Sequence, residues 1–355
     1  MREVVIIGGG PAGATAARYL SKFKVKNILI QRDLNFKKPC GGGIRIDAFK
    51  EFDLDKKVIK KIINEIEIFH KKRKISIDIS QNPIAIVERR EFDAYLRELA
   101  KKEGSEVIEA VFLDLKIFKD YILIKIKREG KIEHLKASHL IAADGVNSKI
   151  RKIVNKDRVD SNLTRYADIS RNLNTCQFHF GSKIAGRFYA WAFPHTKGSN
   201  IGTVNGEKYF ENFLKSLKIN ENIKVKGYKI PNFKNPLFYK DRVFFTGDSG
   251  GFVLPFTYEG IYYAMESGKM AAEILGKNGS PFEYEEMWKK KNLNKFKTLS
   301  LLQKIFLYND FTIKFMTNLF ANPKIQKEII KLWLGKREVK INLNFFYKVI
   351  KESLK

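Results

Sequence analysis

With 355 residues the chain is long enough to bury a large core, and this length predicts two domains and an extension. Two cysteines cannot form a disulfide framework, and the sequence contains no cysteine or histidine cluster with metal-ligand spacing, so we expect a reducing cytoplasm and no metal. The formal net charge is +28, but nucleic acid is not an expected partner because no RNA-binding aromatic motif or helix-turn-helix pattern is present.

The sequence gives no sign of export or of a membrane span. A predicted strand begins directly after the first three residues, without the apolar region of a signal peptide. No run of eighteen apolar residues occurs, since residues 299–307 are interrupted by Gln303 and Lys304. We therefore expect a cytoplasmic protein without a spanning helix.

The N-terminal segment has the pattern of a β-α-β nucleotide-binding unit. Residues 4–7 predict a buried parallel strand, residues 12–20 a helix and residues 27–30 the second strand. Between the first two lies a Gly-x-Gly-x-x-Gly motif, in which the glycines permit the tight turn, the approach of a pyrophosphate and close helix packing. The cofactor-binding residues predicted in this unit are Gly8, Gly10, Ala12, Gly13, Gln31 and Arg32.

Gln31 stands where a ribose-binding carboxylate is usual. Its amide oxygen can still accept a hydrogen bond from a ribose hydroxyl, and Asp33 lies nearby in the sequence.

Several elements follow this unit in the chain. They comprise a glycine-rich loop, a hairpin predicted to face solvent, an amphipathic helix and three short strands. In chain order they are residues 35–46, 66–79, 91–103, 107–117, 121–127 and 131–135.

Two further apolar runs end where a ligand could be met. Residues 140–145 run into Asp144, and residues 243–248 run into Gly247 and Asp248. An Asp that ends a strand before a glycine can accept a hydrogen bond from a ribityl hydroxyl. The helix predicted over residues 259–275 would point its positive end at a reduced flavin. Three such segments in this order predict FAD, and the cofactor-binding residues predicted here are Asp144, Gly247, Asp248, Gly250, Gly260 and Ile261.

The fold class predicted from these patterns is α/β. A discontinuous Rossmann-type FAD-binding domain would be built from residues 1–48, 86–156 and 238–279. An antiparallel, β-rich substrate domain (residues 49–85 and 157–237) would be inserted into it, and a helical C-terminal extension (residues 280–355) would follow.

The order of the motifs resembles the geranylgeranyl reductase family, which belongs to the flavoprotein group typified by p-hydroxybenzoate hydroxylase. The resemblance covers roughly residues 1–275, and its most discriminating parts are residues 38–43 (Lys-Pro-Cys-Gly-Gly-Gly), 189–194 (Tyr-Ala-Trp-Ala-Phe-Pro) and 259–268. One departure is Tyr258, because the family usually has Gly-Glu-Gly where this chain has Tyr-Glu-Gly.

The resemblance implies an FAD-dependent enzyme that reduces C=C bonds of a polyprenyl chain on a lipid or a quinone. It places Cys40 beside the flavin, where the thiol tunes reactivity or relays a proton; the alternative is a small buried residue in a glycine-rich turn. Arg89 would reach the cofactor's phosphate or ribityl region, with Arg90 as the alternative. The predicted catalytic residues are Cys40, Trp191, Phe193 and Tyr258, and the further cofactor-binding residues are Cys40, Gly41, Gly42 and Arg89.

Two other functions stay open from the sequence. One is a flavin monooxygenase that hydroxylates an aromatic or quinone precursor, and the other is a membrane-associated electron-transfer flavoprotein. No second Gly-x-Gly-x-x-Gly unit is present, so NADPH bound transiently or reduced ferredoxin is the expected reductant.

The C-terminal segment combines apolar residues at helical spacing with many lysines. Residues 299–307, 311–320 and 325–334 show this pattern. They can pack on the catalytic domain or lie in a membrane interface. The lysine-rich surface suits an anionic membrane, an acidic electron carrier or simple solvation, and it leads us to expect peripheral attachment to the inner face of the cytoplasmic membrane.

Overall fold

A computed structural model describes residues 3–323, 325, 326 and 330 of the chain. The strands are β1 Glu3–Ile7, β2 Lys26–Gln31, β3 Gly43–Arg45, β4 Ile59–Ile63, β5 Glu65–His70, β6 Arg73–Asp78, β7 Ile84–Val87, β8 Glu106–Glu109, β9 Val111–Ile117, β10 Ile122–Arg128, β11 Lys131–Ala137, β12 His139–Ala142, β13 Ser161–Ile169, β14 Cys176–Phe180, β15 Ala190–Pro194, β16 Ser199–Val204, β17 Lys226–Pro231, β18 Tyr239–Lys240 and β19 Val243–Phe245. The α-helices are α1 Pro11–Lys22, α2 Asp47–Glu51, α3 Arg89–Lys102, α4 Lys149–Asn155, α5 Glu207–Leu217, α6 Ile261–Gly276, α7 Pro281–Phe306 and α8 Asp310–Phe320.

A six-stranded sheet in the order β18-β19-β12-β1-β2-β8 forms the centre of the nucleotide-binding part. Every neighbouring pair is parallel except β18–β19. Val4 and Ile6 of β1 face the layer of α1, α3 and α6, whereas Val5 and Ile7 face the small sheet β9–β10–β11. Both faces are covered, which explains why the strands are continuous apolar runs rather than alternating ones.

The predicted β-α-β unit is confirmed, and one strand prediction is wrong. The run at residues 107–117 is two strands, because β8 joins the six-stranded sheet and β9 joins the three-stranded one. Ala110 is the corner between them: its side chain is buried, and its N–H donates to the carbonyl oxygen of Gln31 (3.0 Å). A buried corner leaves no polar signal in the sequence, so the two strands read as one.

A second, seven-stranded sheet has the order β17-β13-β16-β15-β14-β5-β6 and is antiparallel except at β14–β5. In β15, Ala190 and Ala192 face α5, while Trp191 and Phe193 point to the opposite side. The predicted hairpin is β5–β6 at one edge, but it does not simply face solvent, since Ile68 of β5 is buried. The alternation of apolar and polar residues along the hairpin reflects one solvent-exposed face and one buried face.

The fold is α/β with a helical C-terminal region, as the sequence predicts, yet α7 is a core element. Ser280 and Glu283 form a capping box at its start. Trp288 is fully buried and stacks on Phe252 with ring centroids 4.7 Å apart. Residues 299–307 continue α7 and α8 covers 311–320, whereas most of 325–334 lies outside the described residues.

The domain boundaries stay predictions. The small sheet β3–β7–β4 joins Gly43–Arg45, Ile59–Ile63 and Ile84–Val87, which lie on both sides of the boundaries expected at 48/49 and 85/86.

Helices α1 and α6 pack backbone to backbone through Gly268. A Cβ atom at Gly268 would overlap the carbonyl oxygen of Ala12. Helix propensity alone would make Gly268→Ala stabilising by about 0.5–1 kcal/mol. We expect the opposite sign, a loss of about 1–3 kcal/mol in the free energy of unfolding, because the helices must separate. Urea denaturation measures this change, and a stabilised variant would contradict the packing.

Candidate functional site

Three predicted ligand segments lie side by side at one edge of the six-stranded sheet. They follow β1, β12 and β19, which are adjacent parallel strands. The carboxyl ends of parallel strands meet at the same edge, and ligands of such sheets bind there. The sheet therefore brings together residues that the sequence separates by more than 200 positions.

The first segment makes a tight turn into α1. Gly8 has φ +108°, and a Cβ there would overlap the carbonyl oxygen of Ala143. Gly13 likewise has no room for a side chain against the Gly8 carbonyl, and Ala12 is buried. A Cβ at Gly10, by contrast, would meet no atom within 4 Å, so the start of α1 is open to a ligand.

Gln31 is engaged by the protein itself. Its Oε1 accepts from the N–H of Gly9 (2.6 Å), and its Nε2 donates to the carbonyl of Asp33 (2.8 Å). Gln31 thus orders the glycine turn, and the second lone pair of Oε1 is what a ribose hydroxyl could use. Arg32 is exposed.

Arg97 is a buried residue of this region that the sequence did not single out. Its guanidinium donates to the carbonyl oxygens of Gly9 (2.9 Å) and Leu34 (2.7 Å), and so ties α3 to both loops. Nothing in its position on an amphipathic helix distinguishes it from a surface arginine.

A cavity opens beside these segments and is lined by, among others, Cys40, Trp191 and Asp248. Asp144 lies beside the turn but does not line this cavity. Its Oδ2 accepts from the N–H of Ile150 (3.1 Å) in α4, and burial raises its pKa. The carboxylate therefore orders the loop after β12.

The third segment presents Asp248 to the cavity. Lys38 meets it in an ion pair of 2.5 Å between Nζ and Oδ2. Burial would lower the pKa of Lys38, but the Asp248 carboxylate outweighs this effect and raises it. Gly247 has φ +58°, and a Cβ at Gly250 would lie 2.5 Å from the Phe252 ring. Lys38 was missed as a site residue, although it opens the Lys-Pro-Cys-Gly-Gly-Gly motif.

The cysteine-glycine loop is fixed by contacts that require glycine. Gly42 has φ +74°, and its carbonyl accepts from the N–H of Val87 (2.9 Å). A Cβ at Gly41 would lie 2.6 Å from the Phe193 ring. The Cys40 Sγ accepts from the N–H of Gly42 (3.4 Å) and lines the cavity.

Arg89, rather than Arg90, reaches the cavity. Arg89 is buried at the start of α3, lies beside the Cys40 thiol and pairs with both oxygens of Asp93 at 3.1 and 2.9 Å. Burial would lower its pKa, and the Asp93 carboxylate raises it. Arg90 is exposed and does not line the cavity, so the contact of Arg89 with the cofactor stays the prediction.

Tyr258 stands in a backbone conformation that favours glycine. Its φ is +54°, and its hydroxyl accepts from Nε2 of Gln303 in α7 (3.1 Å). The ring lies 6.0 Å from that of Phe188 and 6.1 Å from that of Tyr189. A bulky side chain thus narrows the cavity at the position where the chain departs from Gly-Glu-Gly, at a strain cost on the order of 1–3 kcal/mol.

Glu259 is a second cavity residue that was not among the predicted site residues. It precedes Gly260 and Ile261 at the start of α6. Among the described residues its Oε1 is buried without a hydrogen-bond partner. Burial raises the pKa of Glu259 to about 7, although Arg45 and Lys295 act in the opposite direction. Its place in the Glu-Gly-Ile motif was the available signal.

The wall opposite α6 is aromatic. Trp191 donates through Nε1 to Asn200 (2.9 Å), and the Phe178 ring lies 5.1 Å from Phe193 and 5.2 Å from Tyr189. Phe180 packs against Tyr189 and Phe188 packs against Tyr258, so both support the wall from behind without lining the cavity. The predicted residues brought together around the cavity are Cys40, Gly41, Gly42, Arg89, Trp191, Phe193, Asp248, Tyr258, Gly260 and Ile261.

These residues fit an FAD molecule. Gly10 and Gly260 are the N-caps of α1 and α6, and in neither helix, both within the described range, does a side chain cap the first-turn N–H groups. Such N–H groups bind anionic oxygens. A ligand with phosphates at the start of α1 and a polar ring edge at the start of α6 would accept hydrogen bonds from the N–H groups at both helix starts.

The comparisons with known proteins identify the family. The profile of the family described as FAD binding domain matches residues 1–214. The chain belongs to the FAD-binding domain family. A chloroplastic geranylgeranyl diphosphate reductase of Nicotiana tabacum is 28% identical over 383 residues, covering 94% of this chain and 81% of the relative.

Two further proteins extend the comparison. The digeranylgeranylglycerophospholipid reductase of Methanocaldococcus jannaschii is 28% identical over 324 residues, covering 82% of this chain and 83% of the relative. The crystal structure of a geranylgeranyl bacteriochlorophyll reductase-like protein from Thermoplasma acidophilum shares the fold, with TM-score 0.83, 23% identity and coverage of 99% and 98%. The resemblance to the geranylgeranyl reductases and the assignment as an FAD-dependent oxidoreductase are thereby confirmed.

Titration of Glu259 predicts a pH-dependent stability. Because its pKa is raised to about 7, the folded chain holds this proton more tightly than the unfolded chain. The stabilisation that the folded state gains from this tighter proton binding is fully present below the ordinary glutamate pKa. It is lost as the pH rises through about 7. Glu259→Gln does not titrate, so its stability relative to the unsubstituted protein should increase between about pH 5 and pH 8, by at most about 3 kcal/mol.

Urea denaturation across this pH range measures the difference. The control is Glu211→Gln on the exposed side of α5, for which we expect no such trend. A difference for Glu259→Gln that does not change with pH would contradict a buried, protonated carboxyl group.

Proposed function

We propose that this oxidoreductase reduces C=C bonds of a polyprenyl chain, of geranylgeranyl type, carried by a lipid or a quinone. The observation that carries the proposal is the aromatic wall of Phe178, Tyr189, Trp191 and Phe193, which lies directly against the cysteine-glycine loop and faces the start of α6. A hydrocarbon chain needs such an apolar, dry surface next to the reacting ring. Relatives named for geranylgeranyl substrates support the same choice.

The residues that would hold FAD follow from their positions along the sheet edge. The turn at the start of α1 would bind the pyrophosphate, and Gln31 would meet the ribose. Asp248 would accept a hydrogen bond from a ribityl hydroxyl when its ion pair with Lys38 loosens or leaves one carboxylate oxygen accessible. The start of α6 would stabilise negative charge on the ring. When bound and reduced, the flavin supplies a hydride for one carbon of the double bond.

The protein's part in the reaction is to orient the chain, exclude water and supply a proton. Phe193 packs on Gly41, which sets the distance between the aromatic wall and the loop. The hydrogen bond to Asn200 fixes the Trp191 indole. We assign the proton for the second carbon to the Cys40 thiol, because it lines the cavity beside the Arg89 guanidinium and faces the aromatic wall.

The electron donor would be NADPH or reduced ferredoxin. Both are anionic, and a chain with a net charge of +28 attracts either one.

The protein would work at a membrane as a peripheral protein on the inner face of the cytoplasmic membrane. Within the described range, every helix is too short or too polar to cross a bilayer. A prenyl lipid is nearly insoluble in water, so the enzyme must meet it at a bilayer surface, and lysines near an anionic surface contribute about 1 kcal/mol each.

Product analysis tests the proposed reaction. The reduced holoenzyme is incubated without oxygen with a geranylgeranyl lipid or a polyprenyl quinone, and the masses of the products are determined by mass spectrometry. We expect a gain of two hydrogens for each double bond reduced. Substrate-stimulated oxygen uptake with a hydroxylated product would instead show a monooxygenase, and an unchanged lipid with rapid reduction of a carrier would show an electron-transfer protein.

Substitution of Cys40 tests its role as the proton donor. Cys40→Ala should keep FAD but lower turnover by about 100-fold, because the proton donor is lost. Cys40→Ser should retain part of the activity. Cys176, the other cysteine, is fully buried in β14, so Cys176→Ala is the matched control and should keep its turnover. Full activity of Cys40→Ala would reduce Cys40 to a packing role.

A further inference from the structure

Five apolar side chains are exposed along the end of α7, the turn after it and α8, and we call this set the apolar patch. It consists of Leu301, Ile305, Tyr308, Phe311 and Phe315, which are 57%, 44%, 57%, 79% and 40% exposed. These five are clustered within fifteen residues, whereas the other exposed large apolar side chains of the described residues are dispersed along the chain. A patch of this kind on a water-soluble surface indicates an interaction site.

The patch is not needed to hold the helices in place. The opposite faces of α7 and α8 already pack into the core, where Leu302, Ile313 and Met316 are buried. The exposed set is therefore an additional apolar face, beyond what folding of this hairpin uses.

Basic side chains border the patch. The Arg187 guanidinium lies 4.6 Å from the centre of the Tyr308 ring. Lys71 is 3.6 Å from Asp310, and Arg73 donates to Asn318, so both reach α8 from the β5–β6 hairpin. Lys304 and Lys314 are exposed on the two helices themselves.

Asp310 is the acidic residue at this border, and it is paired. It accepts from the N–H of Ser182 (2.8 Å) in addition to its contact with Lys71. The surface is thus apolar in the middle and positive around it.

The patch and the cavity are connected through α7. Gln303 donates to the Tyr258 hydroxyl (3.1 Å) and accepts from the N–H of Phe256 (3.1 Å). Arg187 touches the patch, and the next residue, Phe188, packs on Tyr258 in the cavity wall. The cavity wall at Tyr258 and the apolar patch are therefore linked by direct contacts through α7 and through residues 187 and 188.

We propose that the apolar patch is the surface by which the protein sits on an anionic lipid bilayer, with its five apolar side chains among the acyl chains and the bordering cations on the headgroups. Burial of apolar groups combined with attraction to anionic lipid is the physical basis of interfacial binding. This placement would put the wall formed by Tyr258 and Phe188 next to the lipid. The proposal rests on the proposed function only in naming lipid as the source of the substrate.

A bilayer fits the patch better than a second copy of the chain. A twofold contact would place the same surface on both sides, so Arg187, Lys304 and Lys314 would face a partner that carries the same cations. Like charges across an interface are unfavourable, whereas anionic headgroups neutralise all of them.

The test uses the full-length holoenzyme and vesicles of phosphatidylglycerol and phosphatidylcholine. Phe311→Ser combined with Phe315→Ser should lower co-sedimentation by at least about tenfold, because two inserted side chains are lost. Arg187→Gln combined with Lys304→Gln and Lys314→Gln should weaken binding to the anionic vesicles and leave little further salt dependence. The matched control is Ile132→Ser combined with Leu163→Ser, side chains that are 55% and 42% exposed elsewhere, and this variant should bind as before.

The FAD absorbance and the unfolding transition of each variant show that it is folded. Equal binding of the Phe311/Phe315 variant and the unsubstituted protein, or no binding of the latter, would overturn the proposal. So would a dimer in solution that the same variant dissociates, since a second copy would then be the occupant.

Turnover separates this proposal from the proposed function. A short prenyl alcohol dissolved in water should be reduced equally well by the Phe311/Phe315 variant and the unsubstituted protein, whereas a vesicle-embedded prenyl lipid should be reduced more slowly by the variant. If neither protein reduces either compound but vesicle binding still depends on the patch, the proposed reaction is wrong and the membrane surface stands.

Discussion

The close approach of α1 and α6 is the constraint on which the rest of the site depends. It is possible because a Cβ atom at Gly268 would overlap the carbonyl of Ala12, and because Gly247, at φ +58°, packs closely on the side chains of Ala12 and Ala264. The two helices begin at the same edge of the six-stranded sheet, so both positive ends are directed at the same region. A side chain at Gly268 would move these two helix starts apart.

The second determinant of the site is the set of side chains that β15 directs into the cavity. The seven-stranded sheet uses strand alternation to give β15 two different faces, with small alanines toward α5 and Trp191 and Phe193 toward the cavity. Opposite them lie Cys40 beside Arg89, and Glu259 near Arg45. The cavity therefore has one apolar wall and one wall that carries ionisable groups.

The sequence was most informative where local chemistry decides the structure. The turn at Gly8, the strands beside it and the loop at Gly42 need glycine or continuous apolar runs, and both signals are visible in a short window. What could not be predicted depends on long-range contacts: the pair of Lys38 and Asp248 joins residues 210 positions apart, and Glu259 feels the charge of Lys295 in α7. The core position of α7 stayed one of two alternatives for the same reason, since an aromatic, lysine-rich helix has the same pattern whether its apolar face meets protein or lipid.

The central claim is that the reduced ring and a prenyl chain meet in the cavity between the cysteine-glycine loop and the aromatic wall. The most direct measurement is a single turnover without oxygen, in which holoenzyme reduced in advance is mixed rapidly with a geranylgeranyl lipid and flavin absorbance is followed. The account predicts reoxidation of the flavin by the lipid alone, with a rate that falls when Phe193→Ala opens the wall. A flavin that stays reduced until oxygen is admitted would contradict it.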